Sequence, residues 1–151
     1  MIKPENLRIG DLVRVSVKCA FDKGTICTVV AVSNVFYCKK QRGIVELRPI
    51  NSYEMPQGVG SCDIEGIPLT PAILEKNGFY SKEPRKCYIK YIGGSSRFLC
   101  RYFYIERTYF GWVVFLKTEW LSDSVPVCQI RYVHELQHIL WAMGIDAGFE
   151  I

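Results

Sequence analysis

The chain has 151 residues, 49% hydrophobic and 13% aromatic, which is enough apolar material for one packed domain or two small ones and too much for a disordered chain. Its net charge of +4 lies in residues 1–60, where nine Lys or Arg face five Asp or Glu, whereas ten balance ten in residues 61–151. No apolar run approaches the roughly 20 residues of a membrane helix and residues 1–12 lack the apolar stretch of an export signal, so a cytoplasmic location with no membrane partner is expected.

Gly10-Asp11 opens a segment in which Val13, Val15 and Val17 alternate with Arg14, Ser16 and Lys18, the period of a strand with one buried face; a first strand is predicted over 12–18. Lys23-Gly24 makes a turn, residues 25–32 are rich in β-branched side chains, Asn34 punctuates before residues 35–38, and Gly43 opens residues 44–47. Four short strands on tight turns form a meander, and pairing its edges predicts a small barrel of the general kind seen in Tudor or KOW modules. Lys39, Lys40 and Arg42 fall at one turn of this meander, a cluster that meets phosphates if it shares a face with Lys18 and Lys23, and is otherwise a solvated hairpin tip.

Residues 49–62 read as a long loop joining two subregions, 1–60 and 61–151. Gly58 and Gly60 begin a dinucleotide-like spacing, but Asp63 stands at its third glycine. A short helix over 71–77 follows, with Thr70 as N-cap, Pro71 in the first turn, Leu69 stapled to Leu74, and Gly78 as the left-handed C-terminal residue before Phe79. From Cys87 to Leu116 the chain is strongly aromatic, with strands predicted near 87–92, 97–106 and 111–118 around a Gly93-Gly94 hairpin turn. Aromatics interleaved with Arg97, Arg101 and Arg107 suit single-stranded nucleic acid, but rings also pack well on a pleated surface, and sheet packing is the preferred reading. Residues 127–130 either add an extended strand or lead into a terminal helix, which is predicted over 132–143 and ended by Gly144.

That helix carries His134-Glu135-Leu136-Gln137-His138, the HExxH spelling in which two imidazoles hold zinc and a glutamate serves as general base. At about 100° per residue, Tyr132, Val133, Leu136, Ile139, Leu140 and Met143 form one apolar stripe, and His134, His138 and Trp141 fall on the opposite, water-facing side. A catalytic zinc needs a third protein ligand. Asp146 and Glu150 follow the helix and Glu119 and Asp123 precede it, with nothing in the pattern to select one. The seven cysteines, an odd number without any C-x-x-C pair, read as reduced and mostly buried.

Three segments, LRIGDLV at 7–13, IPLTPAILEKNGF at 67–79 and IRYVHELQHILWAMG at 130–144, resemble a group of uncharacterised proteins of Bacteroides-type gut bacteria and their phages and mobile elements. In that group the terminal helix begins Val-His-Gln-Leu-Gln-Asn, so the resemblance implies that Glu135 and His138 occupy positions that read Gln and Asn in similar chains. Neither replacement serves as a metal site's base or second imidazole, and the group supplies no activity to carry over.

The expectation is therefore an α+β protein: an N-terminal antiparallel meander curled into a small barrel, a short helix, and an antiparallel aromatic-rich sheet covered by the terminal helix. Its expected function is a non-enzymatic binding or adaptor module of phage or mobile-element origin, without cofactor. It would contact protein or nucleic acid through the basic meander and the exposed helix face. The alternatives are a zinc-dependent hydrolase, with His134 and His138 as ligands and Glu135 as base, and a structural protein that forms homo-oligomers through Trp141 and the histidine face.

Overall fold

The computed structural model describes residues 2–37, 40–83, 87–91, 102–117 and 125–151, with the backbone alone for residues 34–37, 40–42, 83 and 117. They form two compact units, Met1–Ile67 and Pro68–Ile151, each built on a five-stranded antiparallel sheet, with both helices in the second. The divide falls after residue 67 rather than after 60, because residues 64–66 return to pair with the first strand. Among the described residues no helix is long and apolar enough to cross a membrane.

In the first unit β1 (Leu12–Val15), β2 (Ile26–Tyr37), β3 (Lys40–Pro49), β4 (Gln57–Gly60) and β5 (Ile64–Gly66) lie in the order β4-β3-β2-β1-β5. Alternation places Val13 and Val15 inward, where they meet Cys27, Val29, Val45, Leu47, Val59 and Ile64 in one core. The chain enters β1 through a tight turn: Asp11 N–H donates to the Arg8 carbonyl at 3.2 Å, Arg8 N–H donates to the Asp11 carboxylate at 2.7 Å, and Gly10 takes the positive φ of 95° that such a turn needs.

Several expectations change here. β1 stops at Val15, since Ser16 N–H turns to the Asp63 carbonyl at 2.8 Å. β2 runs unbroken through Asn34, which sits opposite Gly43 in the ladder. Residues 49–62 are not one loop: β4 pairs with β3 and a 3-10 turn, Ser61–Asp63, leads into β5. A lone apolar Val59 between two glycines gives no alternation to read, and those glycines allow close approach; a Cβ at Gly60 would lie 2.9 Å from Asp63 Oδ2. β4 and β5 end the strand order, and no closed barrel forms among the described residues.

In the second unit β6 (Tyr80–Glu83), β7 (Cys87–Tyr91), β8 (Tyr102–Thr108), β9 (Gly111–Lys117) and β10 (Val125–Ile130) lie in the order β10-β9-β8-β7-β6. Both edge ladders are irregular, with register shifts at Ser81/Glu83 on β6 and Pro126/Cys128 on β10. The Gly93-Gly94 turn and the start of the strand expected from 97 lie outside the described residues.

α1 (Pro71–Lys76) is framed as its sequence predicts: Thr70 Oγ1 accepts from Ile73 N–H at 3.3 Å, Gly78 has φ 77°, and Phe79 N–H returns to the Leu74 carbonyl at 3.0 Å. α2 (Val133–Ala142) starts beside it, because Pro68 bridges Tyr132 and Leu69 N–H donates to the Arg131 carbonyl at 2.9 Å. The buried Trp112 ring ties β9 to the same segment by donating Nε1–H to the Leu69 carbonyl at 2.9 Å. Phe79 against Phe103 and Tyr88 against Trp112, at 6.2 and 5.7 Å between centroids, fill the inner side in edge-on geometry. The C-terminal tail runs back to α1, where Asn77 donates to the Glu150 carbonyl at 2.8 Å and accepts from Glu150 N–H at 2.9 Å.

Candidate functional site

The HExxH helix shows first what its three polar residues do. The Glu135 carboxylate turns back over the helix start, where one oxygen accepts Arg131 N–H at 2.6 Å and Tyr132 N–H at 3.0 Å. These are donors that a helix start leaves without helical partners, so Glu135 is the acidic half of a capping box, and its negative charge also suits that end of the helix dipole. The base position of the zinc motif is thus occupied by a structural task.

His134 is buried, 3% exposed, and does not face water as the helical wheel predicts. Its ring stacks on Tyr132 at 5.7 Å and 10°, and meets His138 edge-on at 5.9 Å and 71°. The buried arc is Val133, His134, Leu136, Gln137 and Leu140, turned toward the polar side of the expected stripe. Part of the reason is the tail, whose Ala147 carbonyl accepts from Gln137 Nε2 at 3.1 Å; an amide with such a partner can lie inside. Trp141, at 67% exposure, stays outside as expected. No group of three His, Cys, Asp or Glu suited to a metal occurs among the described residues, and Glu119 and Asp123 lie outside them. Beneath the helix start, burial pushes the Cys128 thiol above its ordinary range, with the Glu135 carboxylate adding to the effect.

The basic cluster belongs to the β2–β3 hairpin. Lys40 stands opposite Tyr37 and Arg42 opposite Val35 in the backbone ladder, two residues apart along β3; Lys39 lies outside the described residues. β1 pairs with β2 only at Ile26–Thr28, and β4 with β3 only at Ile44–Leu47. Beyond those points the hairpin continues as a two-stranded ribbon, with residues 34–37 facing 40–43. Gly43 marks its base: a Cβ there would run into the Pro4 ring. Of the other two lysines, Lys18 pairs with Asp22 at 3.6 Å in the exposed 16–25 loop.

The aromatic sheet supplies a third surface, whose rings the sequence pattern assigned to sheet packing. Parity along β7, β8 and β9 sorts the rings: Tyr88, Phe103 and Trp112 point inward and are buried, while Tyr91, Tyr102, Tyr104 and Phe115 share the outer face with Tyr80. Tyr80, Tyr91 and Tyr102 are 52%, 56% and 36% exposed. Tyr102 contacts both Tyr91, at 5.6 Å, and Tyr104, at 6.3 Å, so the rings are contiguous across two strands. The outer rings also pack in part, since Ile89, opposite Tyr80 and Tyr104 on that face, is buried; Tyr80, Tyr91 and Tyr102 are the exposed part of the layer. The signal available in the sequence was the alternation Tyr102-Phe103-Tyr104-Ile105, polar-tipped rings at one parity and apolar side chains at the other.

Comparison of the chain with known protein families, with curated proteins and with solved structures finds no match.

Proposed function

We propose that the protein is a non-enzymatic nucleic-acid-binding module of a phage or mobile element, and that its β2–β3 ribbon is the arm that meets the duplex. The observation that carries this reading is the ribbon itself, which continues past both neighbouring strands with Lys40 and Arg42 at alternate positions of β3. A two-stranded ribbon is one of the two elements that B-DNA's major groove, about 12 Å wide, admits. The charge excess of residues 1–60, nine cations against five anions, favours phosphate as the counterpart. The return of β5 to β1 supports a meander curled toward a small barrel, which would present the ribbon on a stiff base. The three segments that resemble chains of Bacteroides-type bacteria and their phages support the origin.

Zinc hydrolysis is the weaker reading, because Glu135 is engaged by two backbone donors. The adjacent His134 and His138 rings remain a two-ligand set, which chelates weakly.

Fluorescence anisotropy with a labelled duplex tests the proposal. Binding should be measurable at about 50 mM salt and fall by orders of magnitude toward about 200 mM, and Lys40→Glu with Arg42→Glu should abolish it. A wild-type protein that ignores duplex at low salt overturns the reading. Elemental analysis of protein purified without chelators, beside His138→Asn, decides the alternative; stoichiometric zinc that the variant loses would replace binding by metal chemistry.

A further inference from the structure

We propose that the C-terminal tail of the second unit, residues 145–151, is a detachable strap that fills a peptide seat in cis. The partner this seat fits is an extended acidic segment with apolar side chains at alternate positions. After Gly144, whose φ of 71° ends α2, the chain reverses and continues without forming helix or strand. Its burial nevertheless alternates as in a strand: Ile145, Ala147, Phe149 and Ile151 are half-buried, whereas Asp146, Gly148 and Glu150 are exposed. Side chains of the body hold it by its backbone. Gln137 of α2 donates from Nε2 to the Ala147 carbonyl at 3.1 Å, and Lys76 of α1 donates from Nζ to the Ile151 carbonyl at 3.0 Å. Asn77, just past α1, donates to the Glu150 carbonyl at 2.8 Å and accepts Glu150 N–H at 2.9 Å. One amide thus takes both main-chain groups of a residue, as a neighbouring strand would.

The seat is organised without the tail. Asn77 also donates from Nδ2 to the Ile73 carbonyl at 2.8 Å, and its own carbonyl accepts from Lys90 Nζ at 2.9 Å, so the amide is already aimed when a peptide arrives. The tail, by contrast, is lightly held: of its four bonds to Gln137, Lys76 and Asn77, three are exposed to water, and its apolar side chains are only half-buried. Such a segment opens at a lower free energy than the sheet beneath it. Backbone contacts accept any extended chain, so selection falls to the alternate apolar positions and to charge. Lys76 and Lys90 bring two ammonium groups to the Asn77 end, where Glu75 is turned to the Tyr88 hydroxyl at 3.5 Å. The tail itself carries Asp146 and Glu150 and no cation. It is therefore the template for its own competitor, an acidic segment of the same pattern.

The experiment is heteronuclear NMR of the full chain, reading the side-chain amide signals of Asn77 and Gln137, with a synthetic peptide of residues 145–151 as probe. In cis the tail acts at an effective concentration in the millimolar range, so it must be loosened for the peptide to enter. Glu150→Pro does this, since its nitrogen has no hydrogen for Asn77. The peptide should shift both signals of that variant and bind it at least about tenfold more tightly than wild type. Adding Asn77→Ala should weaken the binding by about tenfold again. A loosened chain that ignores millimolar peptide overturns the seat, and equal binding by wild type and Glu150→Pro overturns its occupation in cis. A peptide with Asp146→Lys and Glu150→Lys should bind several-fold more weakly; equal affinity overturns the acidic partner. Hydrogen exchange of the wild type tests the strap without substitutions. The Glu150 amide should exchange about a hundredfold faster than the amides of β8, and exchange at their rate would make the tail a fixed part of the unit.

Discussion

Both sheets hide one face, but they differ in what they turn outward. The first exposes the ordinary alternative to a core: Arg14 stands across from Glu65, Thr28 across from Arg48, and Glu46 lies further along β3. The second places Tyr80, Tyr91, Tyr102, Tyr104 and Phe115 at the equivalent parity. That parity of the first sheet is mixed rather than aromatic, since it also holds the buried Leu12 opposite Thr28. On the second sheet the same parity also carries Ile89, buried opposite Tyr80 and Tyr104, so the rings there partly cover an apolar side chain and partly meet water.

The sharpest way to break this comparison uses neighbours on opposite faces of β8. Phe103→Ala should destabilise the second unit by about 3–5 kcal/mol, whereas Tyr102→Ala should cost about 0.5 kcal/mol or little more. Trp112, Trp120 and Trp141 all lie in the second unit, so tryptophan fluorescence during urea unfolding reads that unit alone. Equal costs would show that the outer rings are packed structure. In the first unit, Gly43→Ala should cost about 1–3 kcal/mol, because the added methyl meets the Pro4 ring at the base of the ribbon, and far-ultraviolet circular dichroism would show a transition that the tryptophans do not follow.

A smaller effect separates structure from catalysis in α2. Glu135→Ala should lower stability by about 1 kcal/mol, while Glu135→Gln, able to accept the same Tyr132 N–H, should be nearly silent. A general base would be lost with either substitution, since neither an amide nor a methyl group takes up the proton. The least effect should come from alkali. Burial, with the Cys19 thiol adding, raises the Cys27 thiol from its ordinary 9.0 to about 11. A folded pKa above the unfolded one means that the buried neutral thiol contributes fully below pH 9 and that the contribution is lost between about pH 9 and 11, as the unfolded chain ionises first. The stability of wild type relative to Cys27→Ala, followed by urea titration, should fall across that window.

How far the sequence carried can be read from particular elements. α1 was fully legible, because Thr70, Pro71, Gly78 and Phe79 act through contacts within a few residues. β1 was legible by alternation, though not its end, whereas the next strand was read from β-branched residues and broken at Asn34, where β2 in fact runs on to Tyr37. The pairing of β5 with β1 was not legible, since nothing local in Ile64–Gly66 names a partner some fifty residues earlier. The buried side of α2 was misread by part of a turn for the same reason: the tail that accepts from Gln137 lies ten residues on, and a helical wheel sees only the helix. The zinc spelling shows the converse. Glu135 matched a catalytic pattern and, three residues after the N-cap, matched a capping pattern as well; only its hydrogen bonds distinguish them.

The irregular ladders at both edges of the second sheet bear on solubility. A flat sheet with exposed rings and straight edges is a template for fibril growth, adding copies strand by strand. Here β6 shifts register at Ser81/Glu83, and β10 carries Pro126, which has no N–H to give, next to a shift of its own. A further strand finds no continuous row of donors and acceptors on either side. Strand-by-strand addition is thereby opposed at both edges of the sheet.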